Sequence, residues 1–171
     1  DLTALGKIIG GGFPLAAIAG KTKIMSHFDK TEVSAQQSLM QIGTLSGNPI
    51  AAVAGLKTLE ILRRPGQYQK LRFIGETITK CAISNLSDLG HEHSIVGHPT
   101  LFDIVFSPKK ITNYRQFLKA DTIKATQFNN TLRQKGILKA PNKIYISLGL
   151  TDNDINQVCD SIRHATLSLT H

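Results

Sequence analysis

Lys7 is the residue of this sequence best placed to take part in covalent chemistry. It follows Gly6, and the chain continues through two isoleucines into three consecutive glycines, residues 10–12. Glycine has no Cβ, so such a run lets the backbone adopt positive φ values and lets a flat ligand lie beside the amine. The uncharged amine of a lysine attacks carbonyl groups, and burial favours that form by lowering the pKa. The pattern suits a lysine nucleophile, although local composition alone favours a glycine-rich turn with a solvated lysine.

The glycine spacing argues against two other kinds of ligand-binding loop. Gly6 and Gly10 do not fit the dinucleotide-binding pattern G-x-G-x-x-G. The chain also has no Gly-Lys-Ser or Gly-Lys-Thr sequence at the interval of a P-loop. The loop is therefore not expected to hold a nucleotide phosphate in either of these ways.

A second candidate site covers residues 43–47, just before a predicted helix. Asn48 is a good N-cap, and Pro49 suits the first helical position because its missing N–H would have no partner there. The free N–H groups and the positive dipole end of such a helix attract anions. The alternative is a capped helix without a ligand.

The elements that must position these residues follow from the apolar pattern. A buried strand at 15–19 would place Lys7 at the rim of a sheet, and residues 28–41 form a long loop. The helix at 50–62 carries an apolar stripe through Val53, Leu56, Leu59 and Leu62. The remaining predictions are a helical turn at 21–25, helices at 67–89, 121–135 and 152–169, the last capped by Thr151, and strands at 94–96, 101–106, 137–139 and 143–148.

The order of these elements predicts an α/β protein built in layers. The helix at 67–89 buries one face, which carries apolar residues at positions 71, 74, 78, 82 and 86 and ends at Gly90. The sequence Arg63-Arg64-Pro65-Gly66 interrupts the pattern. We therefore place a domain boundary there, with residues 1–62 in one domain and residues 63–171 in the other.

The charge balance permits binding to a polyanion, but its distribution does not favour nucleic acid. The sequence has 20 Lys and Arg against 12 Asp and Glu, a formal net charge of +8. The basic residues are scattered and form neither a stripe nor a recognised nucleic-acid motif. No apolar run approaches the roughly 20 residues that a membrane span needs. We expect no nucleic-acid or membrane partner.

The cysteines and histidines do not form a metal-binding pattern. Cys81 and Cys159 lack the C-x-x-C spacing of metal sites and redox motifs, which fits a reducing, cytoplasmic setting. His91, His93 and His98 have no Cys, Asp or Glu at ligand spacing other than a glutamate at 92, which points the other way on an extended chain. We expect loop histidines and no metal.

Two blocks of the sequence resemble the class III pyridoxal-phosphate aminotransferases, and in particular the glutamate-1-semialdehyde aminomutase branch. The first block is residues 1–17, extended by Gly20 and Ile24-Met25, and the second is residues 43–49; weaker similarity continues from residue 63 to the C-terminus. The resemblance implies the α/β fold type I of pyridoxal-phosphate enzymes and pyridoxal 5'-phosphate as cofactor. Lys7 matches the Schiff-base lysine. Gly43 and Thr44 match the pair that binds the cofactor phosphate from the neighbouring subunit of a homodimer.

The resemblance covers only the later part of a family chain more than twice as long, so we expect a C-terminal fragment. It implies that residues 1–62 end the large cofactor-binding domain and that residues 63–171 form the small C-terminal domain. The family's earlier half supplies a phosphate loop, an aromatic that stacks on the cofactor ring and an aspartate at the pyridine nitrogen. We therefore expect an enzyme in full-length form and an inactive isolated chain.

The resemblance leaves the reaction type open. In the aminomutase branch an Ala-Pro pair precedes a loop with an aromatic and a glutamate, whereas here Ala140-Pro141 leads almost directly into the last predicted strand, with no acidic residue before Asp152. This departure favours transamination between small amino and keto substrates over intramolecular amino transfer to 5-aminolevulinate. The alternatives of other classes are an inactive remnant or binding module and a polyanion-binding protein.

Overall fold

The computed structural model describes residues 1–169, which divide into two compact units. The first unit is Asp1–Pro65, and the second begins at Gly66. Within residues 1–169 no helix combines the length and the apolar character needed to cross a membrane. Whether these units correspond to two domains of a larger enzyme stays a prediction.

The first unit contains a two-stranded antiparallel sheet and one long helix. Leu2 on the first strand pairs with Gly20 on the second, and Gly6 pairs with Ala16. No helix or strand occurs between residues 29 and 48, which agrees with the predicted long loop. The elements are β1 (Leu2–Gly6), a 3-10 turn (Lys7–Gly10), β2 (Ala16–Gly20), α1 (Thr22–Met25), a second 3-10 turn (Ser26–Phe28) and α2 (Pro49–Arg63).

The predicted burial of the strand at 15–19 is wrong. The strand exists one residue later, as β2, but all five of its residues are exposed. Within the described chain its only strand partner is β1. Strand β1 was not predicted, because its mixture of apolar, polar and glycine residues lacks clear strand periodicity.

Helix α2 buries a different face from the one that its apolar stripe predicts. Its buried residues are Ala51 and Gly55. Val53 and Leu56, which belong to the stripe, are 67% and 69% exposed. Gly55 is covered because the absence of a side chain allows the close approach of the 3-10 turn that follows β1.

The second unit packs helices against a three-stranded antiparallel sheet of order β3-β4-β5. Helix α3 supplies Ile74, Ile78, Ala82 and Leu86 to the core, which confirms its predicted buried face. Phe102 on β4 and Phe128 on α5 are among the other core residues. The elements are α3 (Gln67–Asp88), β3 (Ser94–His98), β4 (Leu101–Val105), α4 (Tyr114–Phe117), α5 (Thr122–Gln134), β5 (Ile144–Tyr145) and α6 (Asp152–Leu167).

The strand predicted at 137–139 is absent, and the one predicted at 143–148 is reduced to the two residues of β5. Gly136 adopts a φ of 83°, and the Ile137 N–H donates to the Leu132 carbonyl at 2.9 Å. This hydrogen bond closes the end of α5, so the following residues complete a helix terminus rather than a sheet. The predicted Thr151 cap is confirmed, because Thr151 and Asp154 form a reciprocal capping box.

Candidate functional site

Lys7 stands where β1 ends and the 3-10 turn begins, so it lies at the end of a sheet strand, as predicted. Its φ is 54°, and among residues 1–169 no other non-glycine residue has a positive φ. This left-handed conformation costs on the order of 1 kcal/mol or more for an L-residue, and such strain is often found at functional sites. The local fold therefore holds Lys7 in a conformation that a simple surface turn would not require.

The Lys7 amine has no hydrogen-bond or ion-pair partner within residues 1–169. Lys7 is exposed, and its Nζ forms neither a hydrogen bond nor an ion pair with the described part of the chain. It is therefore available to a ligand. The closed, water-poor surroundings that the sequence analysis associates with a neutral amine are not formed by the described residues.

The glycine loop after Lys7 is an ordered turn. Gly11 N–H donates to the Ile8 carbonyl at 3.3 Å, and Phe13 N–H donates to the Gly10 carbonyl at 3.0 Å. Gly11 and Gly12 have φ values of 57° and 95°, which favour glycine. A Cβ on Gly12 would meet nothing within 4 Å, so this backbone is open to a ligand.

Thr44 offers two hydrogen-bond donors. Neither its amide N–H nor its hydroxyl has a hydrogen-bond partner among residues 1–169. The neighbouring Gly43 carbonyl accepts from the Ser46 N–H at 2.9 Å, which closes a turn around Thr44. The amide and the hydroxyl could therefore both donate to an anionic oxygen.

The N-terminus of α2 has fewer free N–H groups for an anion than the sequence suggests. The Asn48 side-chain oxygen accepts from the N–H groups of Ile50 at 2.9 Å and Ala51 at 3.2 Å, which confirms the predicted cap. Those two N–H groups are therefore already satisfied. Within the predicted anion site at 43–47, the amide N–H groups of Gly43 and Thr44 form no hydrogen bond among residues 1–169.

The two predicted parts of the site are not joined by hydrogen bonds: none connects Lys7 with Gly43 or Thr44 in residues 1–169. A groove of about 630 Å³ is lined by residues that include their sequence neighbours Leu5, Ser46 and Gly47. Neither Lys7 nor Thr44 lines it. Each part presents its donors separately.

The second unit holds a pair of opposite charges that the sequence analysis missed. Burial is the main factor that raises the pKa of Asp103 on β4 and lowers the pKa of Lys139, and the attraction between the two charges opposes both shifts. Lys139 Nζ also donates to the carbonyls of Ala140 at 2.8 Å and Pro141 at 2.9 Å. Lys139 borders a mainly apolar cavity of about 340 Å³. No local pattern predicts this pair, because the two residues lie far apart in sequence.

Of the three histidines singled out from the sequence, His91 and His93 lie in a loop as predicted, whereas the prediction is wrong for His98, which ends β3. A ring nitrogen of His93 hydrogen-bonds with the His91 carbonyl at 2.9 Å, and one of His98 with the Thr100 hydroxyl at 3.0 Å. His91 is buried. In the part of the chain that the structure describes, no three His, Cys, Asp or Glu side chains are grouped so that they could hold a metal ion.

Comparison with known proteins gives consistent matches over nearly the whole chain. A family model described as Aminotransferase class-III matches residues 1–166. The chain is 26% identical to an omega-transaminase from Sphaerobacter thermophilus, with a TM-score of 0.84 over 98% of this chain. It is also 26% identical to a beta-phenylalanine aminotransferase from Variovorax paradoxus, with a TM-score of 0.83 over 96% of this chain.

A third structure, described as a transaminase with PLP bound, shares the fold at 23% identity, with a TM-score of 0.81 over 97% of this chain. These matches confirm the predicted α/β fold as part of a fold type I transaminase. The chain spans 38%, 37% and 38% of the lengths of the three proteins.

Proposed function

This chain belongs to the class-III aminotransferase family, and we propose that the full-length protein transfers an amino group between small amino and keto compounds with pyridoxal 5'-phosphate as its cofactor. The observation that carries the proposal is the conformation of Lys7. A lysine with a φ of 54° ends β1 and precedes an open glycine turn, in a chain that matches the family over residues 1–166. The similarity to an omega-transaminase supports the same reaction class.

The residues of the chain suit a phosphorylated aldehyde. Lys7 presents a primary amine without an ion pair among the described residues, and a primary amine is the group that bonds to an aldehyde. The open side of Gly12 leaves room for a flat ring. The amide and hydroxyl of Thr44 are donors of the kind that bind phosphate oxygens. When bound, the cofactor acts as an electron sink for negative charge on a substrate carbon.

In this proposal Lys7 has two tasks. Its Nζ would hold the cofactor covalently. Once displaced by a substrate amine, the uncharged lysine amine would accept and return the substrate Cα proton, so one residue would act as both tether and base. An arginine could not replace it, because a guanidinium stays protonated.

We assign Gly43 and Thr44 to the phosphate of a neighbouring subunit's site in a cytoplasmic homodimer. Two facts support this assignment. The two residues resemble the family motif, and among residues 1–169 no hydrogen bond joins them to Lys7. In such an arrangement each site takes its lysine from one subunit and phosphate donors from the other. Neither site would be complete without the dimer.

We also propose that residues 1–62 end the large cofactor-binding domain and that residues 63–171 form the small domain. The division of the chain into units at Pro65 and Gly66 supports a boundary in this region. The isolated chain should be inactive, because among residues 1–169 the sheet around Lys7 has only two strands and both are exposed.

Transamination is preferred to the aminomutase reaction because of the short segment after Pro141. The two-residue strand β5 begins at Ile144, and the first acidic residue after Pro141 is Asp152. A site without an additional loop and carboxylate should retain a half-reacted substrate less well. The test is full-length enzyme with glutamate-1-semialdehyde alone. Dependence on an added keto acceptor supports a transaminase, whereas rapid formation of 5-aminolevulinate without one contradicts it.

The non-enzymatic alternative, a remnant or binding module, can be tested with the same full-length protein. A transaminase should bind pyridoxal phosphate and convert an amine in the presence of a keto acid. A protein that binds the cofactor in neither its aldehyde nor its amine form would contradict the proposal.

A further inference from the structure

The turn that carries Lys7 rests on α2 at Gly55. This glycine is buried, and the Ile9 carbonyl and the Leu15 side chain cover it. A Cβ added to Gly55 would overlap the end of the Leu15 side chain and stand 3.1 Å from the Ile9 carbonyl oxygen. The leucine could move aside by changing rotamer. The Ile9 carbonyl belongs to the backbone of the 3-10 turn, so its displacement would move the turn itself.

A second contact lies one helical turn further along α2, at Thr58. The Thr58 hydroxyl donates to the Ala54 carbonyl at 2.9 Å, which fixes its direction. The same oxygen faces Gly11, where an added Cβ would stand only 2.5 Å away. The hydroxyl therefore limits how closely the glycine loop can approach α2.

The two contacts lie on either side of Gly10, which is itself buried. Ile9 rests over Gly55, and Gly11 rests against Thr58. The Lys7 side chain forms no hydrogen bond or ion pair that would hold its amine in place within residues 1–169. The position of its backbone therefore depends on how the turn that follows it is seated on the helix.

We propose that Gly55 and Thr58 are positioning residues that set where the amine of Lys7 stands. This inference rests on the proposed function of Lys7 as the cofactor-binding lysine. Formation of a bond to a bound aldehyde depends on the placement of the attacking atom, and a misplacement of about 1 Å can cost as much as 100-fold in rate. A larger residue at 55 should misplace the amine and leave the phosphate donors at Thr44 unchanged.

The test compares two forms of the cofactor in full-length protein. Pyridoxal phosphate bonds to a lysine amine, whereas pyridoxamine phosphate has no aldehyde and cannot. We expect Gly55→Val to weaken retention of pyridoxal phosphate roughly tenfold, with a smaller effect for Gly55→Ala. Affinity for pyridoxamine phosphate should stay within about twofold of wild type in both variants.

Thr58 provides variants that keep the helix intact. Thr58→Val places a methyl group against Gly11 and should weaken retention of pyridoxal phosphate, whereas Thr58→Ser keeps the hydroxyl and should behave as wild type. Thr77→Val on α3 is the matched control, because the Thr77 hydroxyl makes the same kind of bond, to the Phe73 carbonyl at 2.9 Å. That control should leave the binding of both cofactor forms unchanged.

If the variants weaken the binding of both cofactor forms equally, the role of these residues is merely structural and the inference is overturned. Unchanged binding in all the variants would also overturn it. If Gly55→Val does not fold, the comparison of Thr58→Val with Thr58→Ser tests the inference. Borohydride reduction of the wild-type complex separates this question from the proposed function. A label on a lysine other than Lys7 refutes the role of Lys7, whereas a label on Lys7 with unaffected variants refutes only the positioning role.

Discussion

The backbone of Gly75 on α3 lies directly against the Pro99 carbonyl in the turn between β3 and β4, so that a Cβ at residue 75 would overlap that carbonyl. Gly75→Ala should destabilise the second unit by about 1 to 3 kcal/mol, the usual cost of overpacking. Gly149→Ala is the control, because its Cβ would make an ordinary contact, 3.5 Å from the Ser147 hydroxyl oxygen. Urea denaturation of the full-length variants measures the difference, and equal midpoints would contradict the close packing.

Lys7 should be the residue that binds the cofactor covalently. Borohydride reduction of the full-length complex followed by peptide mass mapping should place a pyridoxyl label on Lys7. Lys7→Arg should abolish the label and turnover, because a guanidinium remains protonated. Lys21→Arg and Lys23→Arg serve as controls and should keep both. A label on either of those lysines in the wild-type protein would refute the assignment.

Thr44 should contribute to phosphate binding through its hydroxyl. Thr44→Val keeps the shape of the side chain and removes that donor, so cofactor affinity should fall by about 1 to 3 kcal/mol, the range for a hydrogen bond to a charged group. Thr44→Ser retains the hydroxyl and should stay near wild type. Equilibrium titration with pyridoxamine phosphate isolates this contact from the bond at Lys7. Equal affinities for Thr44→Val and wild type would remove Thr44 from the site.

Asn48 should stabilise α2 through its two hydrogen bonds to the Ile50 and Ala51 N–H groups. Asn48→Ala should cost about 1 kcal/mol of unfolding free energy, within the range for losing an N-cap. Asn48→Asp preserves the side-chain acceptor and should keep most of the unfolding free energy that Asn48→Ala loses. Chemical denaturation of the full-length protein measures both variants, and an alanine variant as stable as wild type would argue against the cap.

Cys81 should react slowly with alkylating reagents while the protein is folded. Burial, followed by the neighbouring Cys159, raises the pKa of the Cys81 thiol to about 12. Only the thiolate is nucleophilic, so alkylation by iodoacetamide should remain slow near pH 9 and accelerate as the pH approaches the raised pKa. Peptide mapping of the folded and urea-unfolded protein follows each cysteine. A half-maximal rate for Cys81 near pH 9 in the folded protein would contradict the shift.

The same raised pKa predicts how stability depends on pH. The folded state holds the Cys81 proton more tightly than the unfolded state, where the pKa lies near the ordinary value of 9.0. This contribution to stability is fully present below about pH 9 and is lost as the pH rises through the folded pKa of about 12. Cys81→Ser should reduce the loss of stability over that interval, measured by denaturation at increasing pH.

The features that the sequence determined by itself are those that depend on near neighbours in the chain. The Asn48 and Thr151 caps, the end of α5 at Gly136 and the buried face of α3 each follow from residues within a few positions of one another. Capping and helical periodicity are local interactions, so a linear pattern contains them. The family motif around Lys7 is local in the same sense.

Only the tertiary structure decided which faces are covered. It leaves β2 exposed and buries Ala51 and Gly55 of α2 instead of the apolar stripe, because small residues admit the backbone of the Lys7 turn. It also partly buries Asp103 and Lys139 within reach of each other's charge, and it sets Lys7 in a left-handed conformation. These outcomes depend on the close approach of segments distant in sequence, and packing at that range is determined by volume and backbone position rather than by local residue preference.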